Sequence, residues 1–560
     1  MTDATPDRPR GAGPESTDRS TPRSLLRGCL AGVFFGVLAG LYALVPPSPD
    51  QFELTYVAWR LNAGARPYAD VIDMNWPGAF WLHQLIAWLP QGPLYPWRVL
   101  DFAVMLAGVA ATARWLGRTP GLGRPAALAA LVGYPLLYAD PRWYWFSGQR
   151  DALCFHLVLL AAAWHLRSLR PGGRSPAAAV AVGAAVGFAT LVKPLALLAA
   201  PVLLAHGVLR RGPAASKARR FGWNAAGGMA VFAASAAALA LQGAPWQETL
   251  DAAWTYNRIG QADNALPPGQ LLRVAADHAA DSWAVLGPVA AAGLLLAARR
   301  PERGLRDAAG LVWALLPAAA LLYLLQGKGF VYHLAWVQGL VHLVALATAG
   351  ACAGAAWRGL ARGPVRGRGR AGRAAPAAAA LLCGLVAVAV AVKAASLRAP
   401  ASASIGVLPR ADFLARFSAG PGTTFAQAEA LAAGLRAAVP AGEAPERHPV
   451  LVHGDAVSIN LLSGRPLPTA FYYPRVLKAV HRGGRSGAGA GLAARWNARF
   501  AAELEAADPP LAFIGEDVLR EAEAAGAPSA AVLRAWLQER YRPAGRVGGL
   551  LRYERQWPGN

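Results

Sequence analysis

Residues 50–77 hold the densest group of side chains able to do chemistry. They include Asp50, Glu53, Asp70 and Asp73, with Arg60, Arg66, Tyr56, Tyr68 and Trp76 among them. Asp50 and Glu53 stand one helical turn apart, so a helix would put both carboxyls on one face. Two carboxylates side by side can hold a metal or take a proton. They can also do no more than solvate an amphipathic helix lying on a membrane, and spacing alone leaves both readings open. Further on, Arg150 and Asp151 are adjacent, and either a helix-entry ion pair or a direct role suits them. Lys193 lies between Leu191-Val192 and Pro194. A cation in an apolar stretch is costly and points to function, unless it snorkels from the end of a short helix. Lys328, Tyr332 and His333 form a further polar group before a late apolar run, and Arg142 and Arg258 are additional candidate cations.

The elements that must position these residues follow from composition. In 560 residues, 55 % are hydrophobic and only 16 % charged. A soluble enzyme carries charge near a quarter of its positions, and a disordered chain cannot be this apolar, so the protein belongs in a membrane. The 55 Lys and Arg outnumber the 32 Asp and Glu, for a net charge of +23, which raises the question of nucleic acid. The excess sits in short loops between apolar runs, however, and reads as topology control. The Arg-rich stretch 358–373 is of this kind. Cys29, Cys154, Cys352 and Cys383 lie singly in apolar runs, without disulfide or zinc spacing.

About a dozen runs approach the roughly 20 apolar residues that cross a bilayer as helix. They lie near 26–46, 77–92, 98–116, 125–139, 151–167, 176–209 (two short helices about Lys193-Pro194), 222–242, 283–299, 307–325, 334–357 and 376–394. Arg19, Arg23 and Arg27 before the first run place the N-terminus in the cytoplasm. Basic loops around 210–220, 299–306 and 358–373 are expected on that same side. Segments 47–76, 140–150, 243–282, 326–333 and everything after 395 are then external. An even tally conflicts with a cytoplasmic start and an external end, so one segment between 77 and 209 must fail to cross. Residues 1–22, rich in Pro, Ser, Thr, Asp and Arg, read as a disordered tail, and 23–394 as the membrane domain. Residues 395–560 read as a small α/β domain, with strands at 450–453, 511–514 and 547–553 and helices at 493–506 and 529–540. Among the aromatic residues, Tyr68, Trp76, Trp81, Trp143, Tyr144 and Trp145 cluster at the expected membrane boundaries. An aromatic belt and sugar stacking fit them equally by spacing.

Taken together, several short stretches resemble the polyprenyl-phosphate-dependent glycosyltransferases of the GT-C fold, in particular the protein O-mannosyltransferase-like, or glycosyltransferase family 39-like, branch. The stretches are the acidic pair after the first span, Pro67-Tyr68-Ala-Asp70, Ser147-Gly-Gln-Arg150-Asp151, Leu191-Val-Lys193-Pro194, and Gly327-Lys328-Gly-Phe-Val-Tyr332-His333. In the tail, His453-Gly454 and Leu462-Ser-Gly464-Arg465-Pro466 add to the likeness. The resemblance implies about 11–13 transmembrane helices with an extracytoplasmic α/β domain, in the inner (plasma) membrane. The implied reaction moves a sugar from a polyprenyl phosphate to an acceptor hydroxyl on a glycan, lipid or protein, with inversion. Asp50 would be the base, with Glu53 or Asp151 as a second acid. Arg150, Lys193, Lys328 and His333 would hold the donor phosphate. Tyr68, Asp73 and Tyr332 would touch the sugar or acceptor. The loop is less acidic and poorer in histidine than such relatives, which bears on acceptor recognition. Carboxylates without histidine or cysteine leave a divalent metal, Mg or Mn, open. The rival readings are a polytopic transporter or lipid flippase with Lys193-Pro194 in its path, and a scaffold that has lost activity.

Overall fold

In the computed structural model, residues 22–169, 175–210, 213–260, 265–361, 370–483 and 488–556 are described. The tail expected to be disordered, apart from its last residue, and residues 362–369 of the basic loop 358–373 lie outside them. The membrane part is helical throughout. Among the described residues, five helices are long and apolar enough to cross a bilayer: Pro96–Gly117, Ala214–Leu241, Arg303–Gln326, Val331–Arg358 and Ala377–Ser404. Gly28–Ala43, Pro176–Val192 and Pro194–Val208 are shorter apolar helices packed among them. Pro268–Trp283 meets Leu286–Ala298 at 88°, so the two cannot both run along the bilayer normal. The protein is a multi-pass membrane protein.

One run expected between 77 and 209, residues 77–92, is too short to cross. Only Pro77–Gln84 is helical there, and eight residues reach about 12 Å, far short of a span. The helix stays beside the first loop instead: His83 stacks on Trp97 at 3.6 Å and its Nδ1 is 2.8 Å from Thr55 Oγ1. At the opposite end of the bundle, Arg210 pairs with Asp307 at 2.8 Å, joining two loops expected on one side. Helix pairs close tightly where side chains are smallest. A Cβ on Gly183 would lie 1.8 Å from the Asn224 carbonyl oxygen, so Pro176–Val192 and Ala214–Leu241 can approach this closely only with glycine there.

The C-terminal part is a small α/β domain around a four-stranded sheet, in the spatial order Leu451–His453, Leu511–Gly515, Leu550–Arg555, Tyr541–Val547. The first two strands are parallel, with Val452 opposite Phe513, and the others are antiparallel. The expected closing strand at 547–553 is in fact a hairpin that turns at 548–549. Its first arm, Arg542 to Arg546, is exposed and carries no apolar alternation that would reveal it in sequence. The expected helices appear as Ala488–Ala507 and Pro528–Arg540.

One hydrophobic core crosses between the two parts. Phe52, Tyr56 and Tyr68 of the first loop and Phe80 of the helix after it pack with Phe413, Phe425 and Tyr472 of the tail. Phe52 lies 5.0 Å from Phe425, and Tyr56 Oη accepts from the Leu467 amide at 2.9 Å. The first loop is thus sandwiched between the membrane bundle and the sheet domain.

Candidate active site

A cavity of about 650 Å³ opens where these layers meet. All five segments expected to be external contribute to its wall. Asp50 and Glu53 come from the first loop, Trp145 and Arg150 from the second, and Tyr256 and Asn257 from the third. Lys328 and Tyr332 come from the fourth, and Ser418, Asp455, Tyr473 and Arg475 from the tail.

Asp50 is in the first turn of the helix Pro49–Asn62, which Ser48 starts. The Ser48 amide donates to Gln51 Oε1 at 3.1 Å, closing the free end. Gln149 Nε2 donates to both Ser48 Oγ, at 3.0 Å, and Asp50 Oδ2, at 3.2 Å, so the second loop fixes the carboxylate of the first. Glu53, one turn on, shares the cavity. Burial, with Asp50 and Asp455 close by, holds its carboxyl well above the usual carboxylate range, which favours the neutral acid. The acidic pair is therefore one buried carboxylic acid beside a carboxyl braced by an amide. Such a divided pair is the usual arrangement for acid–base chemistry.

Behind this stands Arg98, fully buried, which sequence reading passed over as one charge inside an apolar run. Its guanidinium donates to the carbonyls of Pro46 and Ser147, both at 2.7 Å, and of Tyr144 at 3.1 Å, and to Tyr42 Oη at 2.9 Å. It thereby ties the strands of chain that lead into Asp50 and into Arg150. Gly148, at φ +76°, lies in the same knot, where a Cβ would come within 3.0 Å of both Gln51 and Trp97.

The expected cations divide into two groups. Arg150 and Lys328 line the cavity and make no ion pair among the described residues. Burial, with Lys193 and Arg150 nearby, lowers the Lys328 ammonium to about 8. Lys193 and His333 lie behind the wall. Lys193, extended between two helices, pairs with Asp151 at 2.6 Å and donates to Gln326 Oε1, while Gln326 Nε2 donates to Asp151 Oδ1 at 3.1 Å. Asp151, 1 % exposed, thus answers Lys193 rather than its neighbour Arg150. His333 is buried, with its Nδ1 unpartnered. Arg142 pairs with Asp140 outside the cavity and Arg258 is exposed away from it.

Of the residues expected at sugar or acceptor, Tyr332 lines the cavity. Tyr68 and Asp73 are buried behind it. Tyr68 Oη donates to the Asn75 carbonyl at 2.7 Å, and Asp73 accepts from Tyr472 Oη at 2.9 Å. They shape the loop that presents Met74 and Asn75 to the cavity.

The tail supplies residues that sequence did not single out. Asp455 follows His453-Gly454 with φ +55°, a conformation that strains any residue with a Cβ. Arg475 Nε holds its Oδ2 at 2.5 Å, while Oδ1 is buried without a hydrogen-bond partner. Burial raises this carboxyl and Arg475 pulls it back. The sequence signal was slight, an Asp directly after the noted His-Gly pair.

Among the described residues no three His, Cys, Asp or Glu side chains come close enough to hold a metal ion.

The fold and cavity define a polytopic membrane protein whose polar site is roofed by a soluble domain. No protein-family model and no curated protein matches the chain. Solved structures do. The chain is similar to ArnT from Cupriavidus metallidurans bound to undecaprenyl phosphate, with a TM-score of 0.56 and 16 % identity, over 95 % of this chain and 98 % of that one. It is also similar to the apo form of that protein, with a TM-score of 0.50 and 15 % identity, over 94 % and 97 % of the two chains. The protein therefore has a GT-C-like fold, with the C-terminal sheet domain that the sequence led us to expect.

Proposed function

We propose that the protein is a membrane glycosyltransferase that moves a sugar from a polyprenyl phosphate to an acceptor hydroxyl on the extracytoplasmic face. The observation that carries this reading is the meeting of Asp50 with two unpaired cations, Arg150 and Lys328, in one cavity at the edge of the membrane bundle. A lipid-linked donor needs such a place, with its tail in hydrocarbon and its head in a polar site. The ArnT structure, whose ligand is undecaprenyl phosphate, lends support through the shared fold.

In this reading Arg150 and Lys328, with the Tyr332 hydroxyl, bind the phosphate and stabilise the charge that grows as its bond to the anomeric carbon breaks. Asp50 takes the proton of the acceptor hydroxyl as that oxygen bonds to the opposite face, which inverts the centre. Glu53, shifted by burial toward its neutral form, can donate to a substrate oxygen. Lys193, Asp151 and His333 act from behind, fixing the helix start that carries Arg150. With Lys193 already answered by Asp151 and Gln326, the charge a transporter would place on its path is occupied. The fixed cations do the work of a divalent ion, so chelators are expected to leave turnover unchanged.

Asp50→Asn tests the reading. The variant, incubated with a panel of polyprenyl-phosphate sugars, is expected to lose roughly 10²–10⁴-fold in release of lipid phosphate, the contribution of a general base. It should keep wild-type affinity for the free polyprenyl phosphate. Unchanged turnover would sink the assignment, and release by neither protein with any donor would sink the enzyme reading itself.

A further inference from the structure

A second cavity, of about 680 Å³, lies beside the first. Tyr144, Phe413 and Phe417 line it, and the Tyr144 hydroxyl, which accepts from the Ser418 amide at 3.0 Å, closes the partition between the two spaces. Three arginines enter this cavity, Arg142, Arg398 and Arg416, and no carboxylate lines it. Arg142 is partly neutralised by Asp140, which Lys393 also approaches at 3.6 Å. Arg398 and Arg416 are exposed and have no ion-pair partner among the described residues.

Its place in the fold identifies the medium it faces. The cavity sits where the apolar span Ala377–Ser404 leaves the bundle. Lys393 lies over the Trp143 ring at 4.8 Å, a cation and an indole at the level where both anchor to headgroups. Just past that helix, Ile405 and Val407 are 76 % and 73 % exposed, with only Gly406 between them. Two apolar side chains held out to solvent beside unpaired arginines match an amphiphile with an anionic head.

We propose that this cavity is a binding site for an anionic phospholipid, with the phosphate between Arg398 and Arg416 and the acyl chains against Ile405 and Val407. The inference does not depend on the reaction proposed above. It requires only that the protein sits in a bilayer. Since Tyr144 and Phe417 line this cavity while their chain neighbours Trp145 and Ser418 line the first, a bound lipid would brace the loop that leads to Arg150.

The test uses the full chain in nanodiscs with spin-labelled lipids. Wild-type protein is expected to hold phosphatidylglycerol over phosphatidylcholine by on the order of tenfold, as two unpaired cations near a surface charge provide. Arg398→Gln with Arg416→Gln should bring this preference close to unity, while the protein's thermal unfolding in phosphatidylcholine stays as in wild type. Equal retention of both lipids by wild-type protein would overturn the proposal, as would an undiminished preference in the double variant. Displacement of phosphatidylglycerol by inorganic phosphate would likewise overturn it, since a bare anion would then suffice. The Asp50→Asn result has no bearing on any of these outcomes.

Discussion

Glu53 and Lys328 line one cavity, and burial shifts each toward its neutral form. For Glu53 the folded protein holds the proton more tightly than the unfolded chain does. Stability is therefore full below the ordinary glutamate range and declines as pH rises above it, because the unfolded state ionises first. Glu53→Gln is expected to remove that decline, so its unfolding temperature should exceed wild type at neutral pH and converge with it in acid. Thermal scans across pH check this, and the variant should keep most of its turnover. Lys328 behaves oppositely in function. It is charged below about pH 8 and neutral above, so the KM for a phosphate-linked donor should climb as pH passes that value. Lys328→Arg, which does not deprotonate, should flatten the climb. At this scale sequence was a fair guide to type and a poor one to role. Asp50, Glu53, Arg150, Lys328 and Tyr332 do share a cavity, but an isolated cation such as Lys193 looks free in sequence when its partner is 42 positions away in the chain. Asp455 carried only its place after His453-Gly454, because what sets it apart is a backbone angle and a missing hydrogen bond.

At the level of elements, two loops are held in register by one buried guanidinium. Arg98 satisfies carbonyls at both helix entrances, and no other side chain offers donors in that fork geometry. Arg98→Met would leave several buried acceptors unpartnered, at about 1–3 kcal/mol each, so a loss of at least ~3 kcal/mol is expected. Arg98→Lys should recover little of it. Unfolding of the detergent-solubilised variants measures the loss, and turnover should fall with it as Asp50 and Arg150 drift apart. The apolar runs that build the bundle were readable from composition and length. Their inequality was not, because Pro77–Gln84 is as apolar as a span and differs only in where it stops. Strands were legible where burial imposed an apolar run, as at 511–514, and illegible where the edge strand is exposed.

For the molecule as a whole, the joint core means that the sheet domain is not an appendage. Removing residues 396–560 would uncover Phe52, Tyr56 and Tyr95, each worth roughly 1.5–3 kcal/mol of burial. The truncated chain is expected to aggregate rather than persist as an idle membrane bundle, which size-exclusion chromatography of the fluorescently tagged product would reveal. That dependence could not be read from sequence, where the change in composition near 395 suggests two separable bodies. The order of bundle and domain was visible, and the seam between them was not.

The bond from the Leu467 amide to the Tyr56 hydroxyl joins positions 411 residues apart. At ribosomal speeds of about 5–20 residues per second, that gap amounts to roughly 20–80 s of synthesis. For all of that time the nascent protein already exposes its acidic loop without the roof that completes the cavity. Under the reaction proposed above, the site stays incomplete until the chain's own manufacture is nearly over, so a half-made copy would have no means of squandering a lipid-linked donor.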